Sequence, residues 1–142
     1  MNKNYLLSFA LLLVLNICQG QLIVFGDNYG TGISFNDFGG ATNTLSVDNT
    51  VKFSGTSSLK VVVPASGYTG GAMKQDVAVN VSTYNAVSFY AKASKAATLN
   101  VSGLGNNASS GTYQAEYQNV ALTTGWVKYI IPIPDPSKLT AI

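Results

Sequence analysis

Over residues 86–105 the chain reads AVSFYAKASKAATLNVSGLG, two stretches whose side chains alternate in character one by one. Val87, Phe89 and Ala91 fall on one face of an extended chain, and Ser88, Tyr90 and Lys92 on the other. Past a Lys-Ala-Ser-Lys turn, Leu99 and Val101 repeat the apolar face while Thr98, Asn100 and Ser102 repeat the polar one. A period of two, rich in β-branched and aromatic residues, predicts half-buried antiparallel strands joined as a hairpin. One face seals a core. The other offers hydroxyls, an amide, an amine and a tyrosine ring to solution, which points to binding rather than to chemistry.

The rest of the chain has the same character. Residues 22–25 read as a short apolar strand before the turn Gly26-Asp27-Asn28-Tyr29-Gly30, and further extended pieces are expected at 33–38 and 44–53. In the run from Ser54 to Pro64, Gly55 allows a tight entry, Leu59, Val61 and Val63 share a face, and Pro64 ends ladder pairing. Residues 67–71 form a loop carrying Tyr68, and 72–81 are extended again. Beyond a Gly/Asn/Ser loop, residues 113–118 alternate Tyr, Ala, Tyr against Gln, Glu, Gln, and Trp126 opens a strongly apolar strand that runs to Ile133. No segment has a helical period, and short strands between Gly/Ser/Asn turns predict an all-β antiparallel sandwich of the jelly-roll type.

The first twenty residues read as an export signal: Lys3 gives a positive start, residues 5–17 are apolar apart from Ser8 and Asn16, and Gly20 precedes a cleavage point before Gln21. The alternative is a lipoprotein acylated at Cys18, with Ile17 an unusually large residue in front of the cysteine. The apolar run is too short for a membrane span, so the expected location is secreted, periplasmic or cell-surface. Cleavage at Gly20 leaves residues 21–142 as one domain without cysteine, which has to be stable through its core alone. The eight basic residues are all lysine, against six acids and no histidine. Nucleic acid binding calls for a basic stripe with arginines, which is lacking, and the usual general base and transition-metal ligand are missing as well.

Three motifs stand in order: Ser54-Gly55-Thr56-Ser57-Ser58-Leu59-Lys60-Val61, Ser88-Phe89-Tyr90-Ala91-Lys92-Ala93-Ser94, and Trp126-Val127-Lys128-Tyr129-Ile130-Ile131-Pro132-Ile133. Together they resemble the galactose-binding-like jelly rolls that serve as carbohydrate-binding modules of secreted bacterial glycoside hydrolases, the laminarinase-associated type. The resemblance covers residues 24–139 and implies a module without catalysis of its own. Its ligand would be a polysaccharide such as a β-glucan, and its partner an attached catalytic domain downstream. The family continues past the proline-rich segment into a closing strand pair, so the domain is expected to be incomplete at its C-terminus. The alternative function is a structural or adhesive sandwich of an extracellular assembly.

A sugar site needs hydrogen-bonding groups beside an aromatic platform. On alternation, the candidates are Ser88, Tyr90, Lys92, Asn100, Gln114 and Glu116, with Tyr68 or Tyr113 at the rim; a register shifted by one would pair Tyr113 with Tyr117 instead. The competing reading is a plain solvated sheet face. Trp126 matches a structural tryptophan of the resembled family and is expected in or beside the core. The resemblance also implies calcium at Asp27, Ser54 and Ser57, the serines through backbone oxygen. Calcium takes six to eight oxygens, and the family's terminal-strand acid has no counterpart here, so the expectation is a weak or absent ion and no required cofactor. Glu116 is the lone glutamate and the five aspartates are scattered, so no spacing predicts the paired carboxyls of a glycosidase. Asn-x-Ser sequons begin at Asn80, Asn100 and Asn107 and are read as coincidence beside a bacterial-type resemblance.

Overall fold

The computed structural model describes residues 20–38, 45–65, 69–105, 113–140 and 142. The leader with Cys18, the loop residue Tyr68 and the sequon at Asn107 lie outside the described residues. The described chain is all-β: β1 (Ile33–Phe38), β2 (Leu45–Asp48), β3 (Ser58–Val61), β4 (Gly70–Gln75), β5 (Ala86–Ala91), β6 (Ala97–Gly105), β7 (Gln114–Leu122) and β8 (Val127–Pro132). Pro136–Lys138 makes a single 3-10 turn with its proline at the start, the position where a missing N–H costs least. No helix among the described residues is long and apolar enough to cross a membrane.

The strands pair as antiparallel ribbons: β1 with β4, β2 with β3, β5 with β8, and β6 with β7. The expected hairpin between the two alternating stretches is therefore not formed. β5 takes β8 as its partner, from Ala86↔Pro132 to Ala91↔Val127. The connection lacks the Asn-Gly or Gly residues that favour a tight two-residue hairpin turn. Instead, the Ala93 amide donates to the Thr123 carbonyl (2.8 Å), carrying the chain over to the β7–β8 turn. Residues 22–25 are not a strand either: Phe25 bridges Tyr29 and Gly30 donates to the Val24 carbonyl, closing a small loop.

The faces of β5 follow the alternation. Val87, Phe89 and Ala91 are half-buried, and Ser88, Tyr90 and Lys92 are exposed. Across the ladder Phe89 stacks on Tyr129 (centroids 5.6 Å, 24° between planes) and Val87 pairs with the buried Ile131.

In β6 and β7 the alternation breaks. Leu99 is half-buried as expected, but Val101 is exposed and Ser102 half-buried; in β7 the buried residues are Ala115 and Val120, five apart. Residues an odd number apart point to opposite faces of a regular strand, so the ribbon changes its buried side along its length. Pairing runs through Leu99↔Val120 and resumes at Val101↔Gln118, stepping over Asn100 and Asn119. Asn119 has φ 57°, a left-handed conformation that asparagine tolerates better than most residues.

The core lies where the chain's last residues dock. Val81, Ala115, Ile133 and Leu139 are buried together, with Val79, Tyr84, Leu104, Tyr113 and Ile142 packed against them. The backbone holds this junction: Val81 donates to the Leu139 carbonyl (3.0 Å), and Val79 and Ile142 exchange both of their bonds (3.3 and 3.1 Å).

Candidate functional site

The outward face of the β5–β8 ribbon carries Ser88 and Tyr90 from one strand, with the exposed Lys92 just past its end, and, by the same parity, Ile130 and Lys128 from the other, with Trp126 just before β8. The loop between β2 and β3 lays Phe53 across this face. The rings of Phe53 and Tyr90 are stacked at 3.7 Å with 11° between their planes, and Trp126 meets Phe53 edge-on at 6.0 Å and 62°. Phe53 is 49% exposed and Tyr90 43%, so the stack keeps ring surface open to solvent.

Two carboxylates hold the Phe53 loop, one on each side. Asp48 Oδ1 accepts hydrogen bonds from the Thr50 hydroxyl (2.6 Å), the Thr50 amide (2.7 Å) and the Val51 amide (3.1 Å). These donors, the hydroxyl foremost, pull the Asp48 pKa down to about 2. On the far side, Asp27 Oδ1 accepts from the Thr56 and Ser57 amides (2.6 and 3.1 Å), and the Ser57 hydroxyl donates to the Asp27 carbonyl (2.6 Å). The Asp27 pKa is lowered, chiefly by the Thr56 amide. Between these turns Gly55 has φ 67°, and a Cβ there would sit 2.3 Å from Asp27 Oδ1. Only glycine satisfies both the backbone and the space. Phe53 therefore sits on a loop pinned at residues 50–51 and again at 56–57.

A hollow of about 510 Å³ opens between residues 21–25 and the β5–β8 ribbon, with Ser88, Ile130 and Lys128, the neighbour of Tyr90 across the ladder, in its wall. A second hollow, of about 830 Å³, shares Leu22, Val24, Leu104 and Ile142 with the first and opens between the N-terminal segment and the β1–β4 ribbon.

Of the residues expected to bind, Ser88, Tyr90 and Lys92 share the outward face of β5. Asn100, Gln114 and Glu116 are exposed on the other ribbon. Asn100 and Gln114 are separated there by five rungs, about 17 Å at ~3.4 Å per residue, so they do not make one site. Gln114 lines the larger hollow. Tyr113 is half-buried against the core, its hydroxyl accepts the Asp135 amide hydrogen (2.8 Å), and its ring lies under the Lys138 ammonium at 5.5 Å. That tyrosine is a structural strut. Tyr117, the other ring of the shifted-register pair, is 54% exposed. Trp126, expected in or beside the core, is half-buried against Phe53 on the outward face of the ribbon.

Phe53 is the residue that sequence reasoning missed. It ends a stretch read as a ragged strand, and nothing local says that its ring reaches β5. The signal that was available is the pair of acids followed by amide-rich turns, Asp48 before Thr50 and Asp27 before the distant Thr56-Ser57, which together anchor the loop.

The corner proposed for calcium brings Asp27 and Ser57 together, with Ser54 exposed in the same loop. The contacts there run from N–H and O–H donors to Asp27. Amide hydrogens aimed at the same oxygen disfavour a cation beside it, and a calcium cage needs six to eight oxygens. Among the described residues no three His, Cys, Asp or Glu side chains are grouped to hold an ion. The arrangement fits a carboxylate-anchored turn.

No family model matches this chain, and neither curated proteins nor solved structures include a match to it.

Proposed function

We propose that this chain is a non-catalytic glycan-binding domain of an exported protein, a β-sandwich of the jelly-roll type that holds an attached glycoside hydrolase on its polysaccharide. The observation that carries the reading is the stack of Phe53 on Tyr90, half-exposed and held by two anchored turns. Sugar rings present flat C–H faces that pack on exposed aromatic rings, and a platform fixed before binding loses little entropy on contact. Ser88 and Lys128 beside it supply a hydroxyl and a cation for the hydroxyl edges of the sugar.

Three of the six acids support a non-catalytic role. Asp27, Asp48 and Asp135 are all engaged in turns with lowered pKa values. A glycosidase's general acid needs the opposite, a raised pKa and a second carboxyl across the bond.

Affinity electrophoresis against β-glucans, xylans and mannans tests the proposal, with Trp126 fluorescence as a second readout because it is the only tryptophan. Retardation by at least one glycan is expected, weakened about tenfold in Phe53→Ala. A folded domain that no glycan retards would refute the reading. The adhesive alternative rests on a different observation: Val61, Val62 and Val63 are exposed at and beyond the end of β3, an apolar edge suited to protein contact.

A further inference from the structure

Resting on the glycan-binding reading, we infer that the ligand is anionic: a polysaccharide whose rings carry carboxylate or sulfate groups, recognised by Lys128 and Lys92 beside the aromatic stack. Lys128 stands directly across the ladder from Tyr90, whose ring lies under Phe53. It also lines the hollow against residues 21–25, where among the described residues it is the only charged side chain in the wall. Lys92 follows Tyr90 by two positions on the same exposed face. A sugar seated on Phe53 thus has the Lys128 ammonium on the side toward the hollow and Lys92 past Tyr90 on the side away from it.

Among the described residues neither Lys92 nor Lys128 takes part in an ion pair, and the face they share is otherwise built from Ala86, Ser88, Tyr90, Ile130 and Pro132. The two acids that anchor the Phe53 loop, Asp48 and Asp27, are turned to the Thr50, Val51, Thr56 and Ser57 donors and form no ion pair with either lysine. A neutral glycan would gain only weak hydrogen bonds from two hydrated ammonium groups, whereas an anionic one gains charge-assisted bonds at each. Aromatic rings with lysines also suit single-stranded nucleic acid. The chain's net charge of only +2 and the lack of any arginine favour the glycan, since phosphate backbones select for basic surfaces much stronger than this.

The test uses matched pairs of polymers with the full chain: polygalacturonate against its methyl-esterified form for carboxylate, and dextran sulfate against dextran for sulfate. At low salt the charged member of at least one pair should bind about tenfold more tightly, and that advantage should fade at high salt as screening sets in. Lys128→Gln should weaken the charged member more than the neutral one and so narrow the charged-to-neutral ratio, and Phe53→Ala should weaken both members. Circular dichroism confirms that each variant is folded. Equal binding of charged and neutral members, or a ratio that Lys128→Gln leaves unchanged, overturns the anionic inference and leaves glycan binding standing. Retention by neither member of any pair overturns the anionic inference, and together with no retardation by the β-glucan, xylan and mannan panel it overturns glycan binding itself. Tighter binding of oligo-dT than of every glycan overturns both in favour of nucleic acid.

Discussion

The Tyr129 hydroxyl donates to the Ala121 carbonyl at 2.8 Å, tying β8 to β7 although the two strands belong to different ribbons. The same ring stacks on Phe89, so one side chain joins the β5–β8 ribbon within itself and to its neighbour. Ladder hydrogen bonds hold each ribbon together, while side chains of this kind hold the ribbons to each other.

Tyr129→Phe keeps the ring and deletes the hydroxyl. Stability should fall by about 1 kcal/mol, the usual net value of one hydrogen bond, with the urea midpoint lowered and the m-value unchanged. A change in m would mean instead that the ribbons had separated.

Leu139 is fully buried, against Val81, Ala115 and Ile133. Leu139→Ala leaves a cavity at the point where the C-terminal segment docks, and should cost about 2–5 kcal/mol. Denaturant unfolding measures this directly. Because Leu139 also accepts the Val81 amide hydrogen, exchange protection at Val81 should drop in the same variant.

How much of this was readable in advance depended on distance along the chain. The two faces of β5 follow from alternation, since a pleated strand sorts its side chains locally. Its partner does not: β8 lies some forty residues away, and pairing is decided by which strand brings a matching apolar face, here Ile131, Tyr129 and Val127. Asn100 was assigned to the face opposite Leu99, which holds, but grouping it with Gln114 and Glu116 assumed a single flat sheet. The change of buried side around Asn119 depends on one backbone angle that asparagine permits without announcing it. Tyr113 looked like a rim aromatic because its partner, the Asp135 amide, is twenty-two residues away.

Acid should loosen the Phe53 loop. The pKa values of Asp27 and Asp48 are lowered in the fold, Asp48 to about 2. A depressed folded pKa means stability that is complete above the unfolded value near ~3.9 and is lost as pH falls through the folded value. The melting temperature should therefore decline from about pH 4 toward pH 2. Asp48→Asn should be less stable near neutrality and show a shallower decline, which a melting series across that range would reveal. An equally steep acid limb in the variant would show that another group governs it. Calcium or a chelator should leave the melting temperature unchanged, because the Thr56 and Ser57 amides point their hydrogens at Asp27 Oδ1 and disfavour a cation there.

Gly55 links stability to binding. A side chain there is opposed twice: φ is 67°, and a Cβ would come within 2.3 Å of Asp27 Oδ1 and 2.8 Å of Oδ2. The backbone term alone costs at least about 1 kcal/mol in a non-glycine residue, and the steric term must push Asp27 off the Thr56 and Ser57 amides. Gly55→Ala should lower the unfolding midpoint and, by freeing one anchor of the loop, weaken glycan retardation, since Phe53 would no longer be held over Tyr90 before the ligand arrives. Asp27→Ala removes the clash together with the anchor. The two substitutions combined should therefore cost less stability than their separate effects added. Additive losses in that cycle would show that Gly55 and Asp27 act independently and that the loop is held by other contacts.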